Sequence, residues 1–154
     1  MDSPIPPDIG YTALICRYSE IATKGRNRVA FENRLVEALR RALRGIGRIR
    51  VVRERGRIFI CPGDERAAFS AADVLEMRRV LPFVSGLSSA SPGFLLEPAL
   101  ARLEAAVDQT FPAAYEAVVA TIRPEQRLTY GLQVRRSDKS YPMISSEIER
   151  HFAE

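Results

Sequence analysis

Apolar and polar residues recur with different periods along the first part of the chain. Tyr11–Tyr18 is an apolar run of strand length, and the polar segment Ser19–Arg28 after it is predicted to be a loop. Over Val29–Leu43 an apolar residue returns at every fourth position, which predicts an amphipathic helix with Asn27 as its N-cap. The polar face of this helix carries four arginines: Arg34, Arg40, Arg41 and Arg44.

Two strands, a second helix and a last strand are predicted to follow. The strands are Ile49–Arg53 and Arg57–Cys61, joined by a tight turn. The helix is predicted over Glu65–Val80, with Pro82 stopping it, and Phe83–Ser89 is the last strand. The order strand, helix, strand, strand, helix, strand predicts an α+β ferredoxin-like fold, in which one antiparallel sheet carries both helices on one face.

A second unit is predicted after residue 90. Apolar spacing predicts a helix from Leu96 to Val107, which Pro112 is expected to break, with a further short helix over residues 113–122. Strict alternation over Leu128–Arg135 predicts a strand, and Ser145–Phe152 the start of another helix. Because one strand alone leaves its ladder groups unpaired, this unit is expected to be incomplete or to be completed by another chain.

The predicted organisation is therefore a flexible leader at residues 1–10, a ferredoxin-like domain at 11–90 and a partial domain at 91–154. The chain has 154 residues, of which 46% are hydrophobic and 27% charged, as in soluble globular proteins. One histidine and two cysteines exclude a zinc cluster of Cys and His ligands and a disulfide framework. No apolar run has membrane-spanning length and the start lacks a signal-peptide pattern, so a cytoplasmic protein with no membrane partner is expected.

Charge is distributed unevenly along the chain. Up to Arg57 there are 13 basic and 6 acidic residues, a net charge of +7, whereas the remainder has a net charge of −3. This asymmetry indicates that the first segment meets a polyanion. The alternative is a genome biased towards arginine, since 21 of the 23 basic residues are Arg. Such a bias explains why Arg replaces Lys but does not explain the clustering.

The loop before the first helix is a candidate phosphate-binding segment. It holds Lys24, Arg26 and Arg28 next to a helix N-terminus, where free N–H groups and the helix dipole favour an anion. The GxxxxGK[ST] spacing of a P-loop is absent. The alternative is a solvated basic loop in which Glu20 pairs locally with Lys24 or Arg17.

A second basic segment lies between the predicted strand and the last helix. Its candidate residues are Arg135, Arg136, Lys139 and Tyr141. Arginine forks bind phosphates in bidentate fashion, and a tyrosine ring can stack on an unpaired base. The alternative is a helix-capping turn in which Ser137 or Asp138 accepts a local hydrogen bond.

Two stretches of sequence resemble a known family. RYSEIATKGRNR after an apolar strand, then a helix with Phe31 and Glu32, and then RGRIFI, resemble the start of the tRNA 4-thiouridine synthase (tRNA sulfurtransferase) family. VRRSDKSYPMISSEI resembles the middle of the THUMP domain that follows in that family. The resemblance runs in order from Tyr11 to Glu154.

The resemblance implies an N-terminal ferredoxin-like domain and a THUMP domain that together hold the acceptor stem of tRNA and its unpaired 3′ end. Lys24, Arg26 and Arg28 would bind phosphates. Arg135, Arg136, Lys139 and Tyr141 would meet the 3′ end.

The catalytic part of the family lies in a later pyrophosphatase domain. The full-length family uses ATP and Mg²⁺ to adenylate a uridine and then transfers sulfur from a persulfide cysteine, with a cysteine desulfurase as the sulfur donor. The SGGxDS-type loop that binds ATP is absent from this sequence. No catalytic residue, cofactor or metal is therefore expected in this chain.

Three alternatives stay open. The chain could be a stand-alone RNA-binding adaptor, or an interaction module whose unfinished sheet edge recruits a partner or a second copy as a homodimer. It could also be a complete enzyme with a thiol site at Cys16 or Cys61. Both cysteines lie in apolar strands without a CxxC motif, which favours buried structural residues.

Overall fold

The computed structural model describes residues 6–18, 28–54, 56–123, 126–135 and 139–153. Four strands and four α-helices lie in these ranges. In chain order they are β1 Ala13–Tyr18, α1 Arg28–Ala42, β2 Ile49–Glu54, β3 Arg57–Pro62, α2 Ala71–Val80, β4 Leu87–Gly93, α3 Leu100–Val119 and α4 Ser145–His151. Short 3-10 turns follow α1 and α2, at Arg44–Ile46 and Leu81–Phe83. None of the helices in the described ranges is long and apolar enough to cross a membrane.

The strands form one antiparallel sheet in the order β2-β3-β1-β4. β1 and β3 are central, with Leu14 opposite Ile60 and Cys16 opposite Ile58. β2 and β3 form the predicted hairpin, in which Gly56 has a φ of +79°, a conformation that favours glycine. This topology confirms the predicted α+β ferredoxin-like fold.

The core lies between one face of the sheet and the two helices α1 and α2. Every second residue of the central strands points into it, and these side chains pack against apolar residues of both helices. The core residues of the sheet and helices include Leu14, Cys16, Ile58, Ile60, Leu35, Leu39, Val74 and Met77. The two helices therefore share one face of the sheet, as predicted, and the intervening strand residues point to the opposite face.

Helix α2 begins six residues later than predicted, at Ala71 instead of Glu65. Its start is a capping box, in which the Ser70 hydroxyl accepts from the Asp73 N–H at 3.2 Å and the Asp73 carboxylate accepts from the Ser70 N–H at 2.9 Å. The preceding residues form a turn because tertiary contacts use them. Arg66 donates to Asp73 and to the carbonyl of Ile46, both at 2.7 Å.

Strand β4 is also displaced from its predicted position, Phe83–Ser89, to Leu87–Gly93. The chain continues from α2 into a 3-10 turn that ends at Phe83, and Gly86, with a φ of +87°, reverses its direction before the strand. The strand then runs as far as Gly93, which pairs with Ala13.

The predicted break at Pro112 is wrong, because α3 runs through it from Leu100 to Val119. A proline inside a helix removes one backbone bond, here the bond to the carbonyl of Asp108. Asp108 is exposed, so water can reach this end of the missing bond. The predicted strand over Leu128–Arg135 is also wrong, since residues 126–135 contain no strand.

Residues 128–135 form a hydrogen bond to helix α4 instead of pairing with a neighbouring strand. The Val134 N–H donates to the Glu149 carboxylate of α4 at 2.8 Å. Helix α4 begins at Ser145, as predicted, and its Ile148 is buried. His151 Nε2 lies 2.7 Å from Glu104 Oε1, which joins α4 to α3.

Candidate nucleic-acid interface

The first predicted phosphate-binding segment is described at both of its ends. Arg28 is the first residue of α1, and Lys24 and Arg26 lie outside the described residues. Arg28 Nε donates to Glu32 Oε1 at 2.8 Å, and the Tyr18 hydroxyl donates to the same oxygen at 2.5 Å. Tyr18 is the last described residue before residues 19–27 and Arg28 is the first after them, so Glu32 joins the two ends of this segment.

These hydrogen bonds contribute to pKa shifts of all three groups. The bonds from Tyr18 and Arg28 lower the pKa of Glu32, which keeps the carboxylate charged. Burial, and then the bond to Glu32, raises the pKa of Tyr18, and the carboxylate raises the pKa of Arg28. The Arg28 side chain is 47% exposed whereas that of Glu32 is only 14% exposed. The guanidinium is thus partly neutralised on one side and open to solvent on the other.

An aromatic contact also joins the end of β1 to the first turn of α1. The rings of Tyr18 and Phe31 lie 5.8 Å apart at a tilted angle. Phe31 in turn packs on Gly86, where an added Cβ would come within 3.0 Å of the Phe31 ring. The start of α1, the end of β1 and the turn before β4 are therefore held together, which gives the ends of the basic segment a fixed base.

Arg17 does not point into the core. Its side chain is exposed, and Nη1 donates to Ser91 Oγ at 2.9 Å across the β1–β4 pair. Glu20, the alternative partner predicted for Arg17, lies outside the described residues. Arg17 is therefore a surface cation on the sheet.

The second predicted segment is described in part. Arg135 and Lys139 are exposed, Tyr141 is partly exposed, and Arg136 lies outside the described residues, as do Ser137 and Asp138 of the capping alternative. The start of α4 behind this segment is fixed by the Ile144 N–H, which donates to Glu147 Oε2 at 2.8 Å. The roles of these residues toward RNA stay predictions.

A further basic surface lies at the C-terminal end of α1. Arg40, Arg41 and Arg44 are exposed and line, with Glu37, a surface depression of about 240 Å³. In the described part of the chain none of the three arginines forms an ion pair. The repeat of arginine one turn apart is the sequence signal for this surface, although the same placement also complements the helix dipole.

Other arginines take part in the fold itself. Arg66 pairs with Asp73, Arg79 with Glu76 and Arg48 with Glu65. Arg53 donates to the side chain of Asn33 at 2.7 Å. Part of the arginine content of the chain is therefore used in contacts within the protein, independently of any nucleic acid.

Both thiols are buried in the sheet. Cys16 is fully buried in β1, and burial raises the pKa of its thiol to about 12, so thiolate is scarce at neutral pH. Cys61 is also buried. Among the described residues no three Cys, His or acidic side chains are grouped so that they could hold a metal ion.

The N-terminal half of the chain matches a known family, and the chain is similar to longer curated proteins. Residues 13–91 match the family model of the ThiI ferredoxin-like domain. The chain is 31% identical over 145 residues to a probable tRNA sulfurtransferase of Brevibacillus brevis, an alignment that covers 94% of the chain and 32% of the relative. It is 33% identical over 140 residues to a probable tRNA sulfurtransferase of Moorella thermoacetica, with coverages of 91% and 31%. The chain thus spans about a third of the length of these relatives.

Two solved structures share the fold. A 4-thiouridine synthetase in complex with RNA and bound ATP matches with a TM-score of 0.63 and 23% identity, over 93% of the chain and 32% of that protein. PH1313 from Pyrococcus horikoshii matches with a TM-score of 0.70 and 24% identity, over 92% of the chain and 43% of that protein. At these identities the likeness establishes the fold alone.

Proposed function

Because the chain belongs to the ThiI ferredoxin-like domain family, we propose that it binds tRNA and holds the acceptor stem and 3′ end for uridine thiolation in a separate catalytic domain. The observation that carries the proposal is the match to proteins named tRNA sulfurtransferases, which extends over 89–94% of the chain. A neighbour with the same fold was solved in complex with RNA, which supports RNA as the ligand.

The N-terminal domain supplies contacts to paired phosphates in this proposal. Arg28, together with Lys24 and Arg26, would contact the backbone of the acceptor stem. The side chain of Arg28 is held by Glu32, so this cation needs little ordering when RNA binds. Such contacts set the register of the duplex on the protein but do not read its sequence.

The C-terminal segment supplies contacts to the unpaired end. Arg135, Arg136 and Lys139 would contact phosphates of the 3′ terminus, and the ring of Tyr141 would stack on a base. The described members of this set are at least partly exposed, as such contacts require. Selectivity then comes from the shape of the acceptor stem and from its overhang.

The chemistry of thiolation is assigned to other parts of the longer relatives. In this proposal ATP, Mg²⁺, the persulfide cysteine and the cysteine desulfurase that supplies sulfur belong to that catalytic domain, and this chain binds and orients the substrate. In the described ranges no group of side chains is suited to hold a metal ion, and both cysteines are buried.

Binding to a tRNA acceptor minihelix, measured by fluorescence anisotropy, tests this proposal. The chain is expected to bind the minihelix with its 3′ overhang more tightly than the blunt form. Arg28→Gln should weaken both complexes, whereas Lys139→Gln should weaken only the overhang complex. Arg79→Gln removes an exposed charge on α2 and is the control, expected to bind as the wild type does.

Two results would contradict the proposal at different levels. Equal affinity for the two forms would exclude recognition of the 3′ end. Lack of binding to either form at low salt would exclude RNA binding itself.

A further inference from the structure

The sheet face opposite the helices carries an apolar row that crosses three strands. Val52 of β2 lies opposite Phe59 of β3, and Phe59 lies opposite Ile15 of β1. Ser91 of β4 extends the row, opposite Ile15. These residues alternate with core residues along their strands, so their side chains point away from α1 and α2. All four are partly exposed.

Exposed arginines flank this row on both sides. Arg17, opposite Ser89, follows Ile15 by two positions, and Arg57, opposite Glu54, precedes Phe59 by two positions, so both lie on the same face as the row. Arg50, opposite Cys61, lies on the other side of the row. The side chains of the three arginines are exposed.

The position of Arg17 brings one of these charges onto the row itself. Its Nη1 donates to Ser91 Oγ, and Ser91 lies opposite Ile15, so the guanidinium reaches the β4 end of the row. In the three rows the arginines are accompanied by one carboxylate, that of Glu54. This face therefore combines a flat apolar centre with a positive rim.

The sequence of β3 resembles that of a strand whose exposed face binds RNA in other proteins. RNA-recognition motifs have the same βαββαβ order, and their third strand carries the pattern K/R-G-F/Y-G/A-F-V-x-F/Y, whose aromatic side chains stack on bases. Here the sequence reads RGRIFI over residues 55–60, with Phe59 at the fifth position of the pattern. Arg57 replaces the aromatic residue of the third position, and a planar guanidinium can also stack on a base.

We propose that this sheet face binds unpaired nucleotides of RNA, with Phe59 stacking on a base and Arg17, Arg50 and Arg57 contacting phosphates. The proposal rests on the RNA-binding function proposed above and adds a surface to it. The RNA must be single-stranded, because a base can stack on Phe59 only when it is not stacked within a helix. The positive rim complements the phosphate backbone, which is the reason to name RNA as the occupant.

A structural role for Phe59 makes a different prediction. If Phe59 served only to cover Ile15 and Val52, leucine would replace it with little effect, because leucine fills similar apolar space. A stacking role requires an aromatic ring. Leucine and tyrosine at this position therefore separate the two roles.

Binding of a short unstructured oligoribonucleotide to these variants is the first measurement. Phe59→Leu is expected to weaken binding by about fivefold or more, the lower end of what one stacked base contributes, and Phe59→Tyr to retain it. The affinity for a blunt RNA duplex should stay unchanged in both variants. Urea unfolding of each variant shows whether the fold is intact.

A fluorescent reporter gives an independent measurement. The chain has no tryptophan, so Phe59→Trp introduces a single indole whose emission a stacked base should quench. Phe83→Trp is the matched control, because Phe83 is 86% exposed in the turn after α2. Its emission is expected to stay unchanged when the same oligonucleotide binds.

The outcomes separate this proposal from the wider function. If the wild type binds the minihelix but Phe59→Leu leaves oligonucleotide binding unchanged, or the Phe59→Trp emission is not quenched, the sheet-face proposal is overturned and the tRNA function survives. If the wild type binds no RNA, both fail. If the Phe59→Trp emission shifts with protein concentration in the absence of RNA, a second copy occupies the face and the proposal is overturned.

Discussion

Glu32 is the residue on which the N-terminal basic segment depends most directly. One of its carboxylate oxygens accepts hydrogen bonds from both Tyr18 and Arg28. The helix dipole disfavours a cation at the first position of a helix. The Glu32 carboxylate offsets this effect on Arg28, but it also screens part of the Arg28 charge. Glu32 therefore acts as a positioning residue for the Arg28 side chain.

Glu32→Gln should lower the free energy of unfolding by about 1 kcal/mol at neutral pH, since hydrogen bonds to a charged acceptor are stronger than those to an amide. The pKa of Glu32 is lowered in the folded state, so its contribution is complete above the pKa of a free glutamate. The contribution is lost as the pH falls through the lower, folded value. Urea unfolding of wild type and variant across this pH range measures the difference.

The control for this prediction is Glu37→Gln, which neutralises an exposed carboxylate on the same helix. It should change stability little at any pH. A difference between wild type and Glu32→Gln that persists in strong acid would show that the ionised carboxylate is not the cause.

The sequence predicted some residues of this site but not their relations. Arg28 could be predicted as a cation beside a helix start. Its pairing with Glu32 was not predicted, although the i,i+4 spacing of the two residues on one helix is a sequence signal for it. The hydrophobic pattern ended the first strand at Tyr18, where β1 ends, but the hydrogen bond from the Tyr18 hydroxyl to Glu32 is a contact between elements that the pattern does not show.

At the scale of elements, α2 shows how a local motif sets a boundary. The capping box of Ser70 and Asp73 fixes the start of this helix, and Arg66 secures Asp73 from the preceding turn. Ser70→Ala should lower the free energy of unfolding by about 1 kcal/mol, because an orphan N–H of the first turn loses its acceptor. Urea unfolding at neutral pH measures the loss.

Ser70→Asp provides the matched comparison, because aspartate also caps helices and should retain most of the stability. Ser88→Ala, at an exposed position of β4, controls for the loss of a hydroxyl elsewhere. An equal loss in Ser70→Ala and Ser70→Asp would contradict the capping role.

The elements that sequence periodicity predicted well are those whose neighbours are close in the chain. Helix α1 and the β2–β3 hairpin lie within one or two residues of their predicted bounds because an amphipathic stripe and a tight turn define them locally. The predicted start of α2 at Glu65 was wrong because the contact of Arg66 with Ile46 is tertiary. The alternation of Leu128–Arg135 did not produce a strand, because a strand needs a partner and Val134 finds Glu149 instead.

At the scale of the whole molecule, the uneven charge is the property with a measurable consequence. The segment up to Arg57 has a net charge of +7, and Arg40 and Arg41 of α1 share one surface with Arg44 of the following 3-10 turn. Binding of RNA through such cations releases counterions, so affinity should fall steeply with salt. The sequence predicted this excess of charge, whereas only the structure separates the arginines used in ion pairs from those that are free of them among the described residues.

The logarithm of the association constant for a single-stranded oligonucleotide should fall linearly with the logarithm of salt concentration, by about 0.7 for each phosphate neutralised. Arg40→Gln combined with Arg44→Gln should make this slope shallower if the α1 surface contacts phosphates. Arg79→Gln, whose charge is paired with Glu76, should leave it unchanged. A slope near zero in the wild type would contradict an electrostatic mode of binding.

The two hydrogen bonds to Glu32 have a consequence for how the sequence of this protein can vary. Two hydrogen bonds to one oxygen tie Tyr18, at the end of β1, to Arg28, at the start of α1. All three residues lie outside the segment 19–27, so substitutions within that segment leave both hydrogen-bonding partners of Glu32 in the chain. Variation can therefore change the charge of the segment to suit a different polyanion, while the groups that connect β1 to α1 are retained.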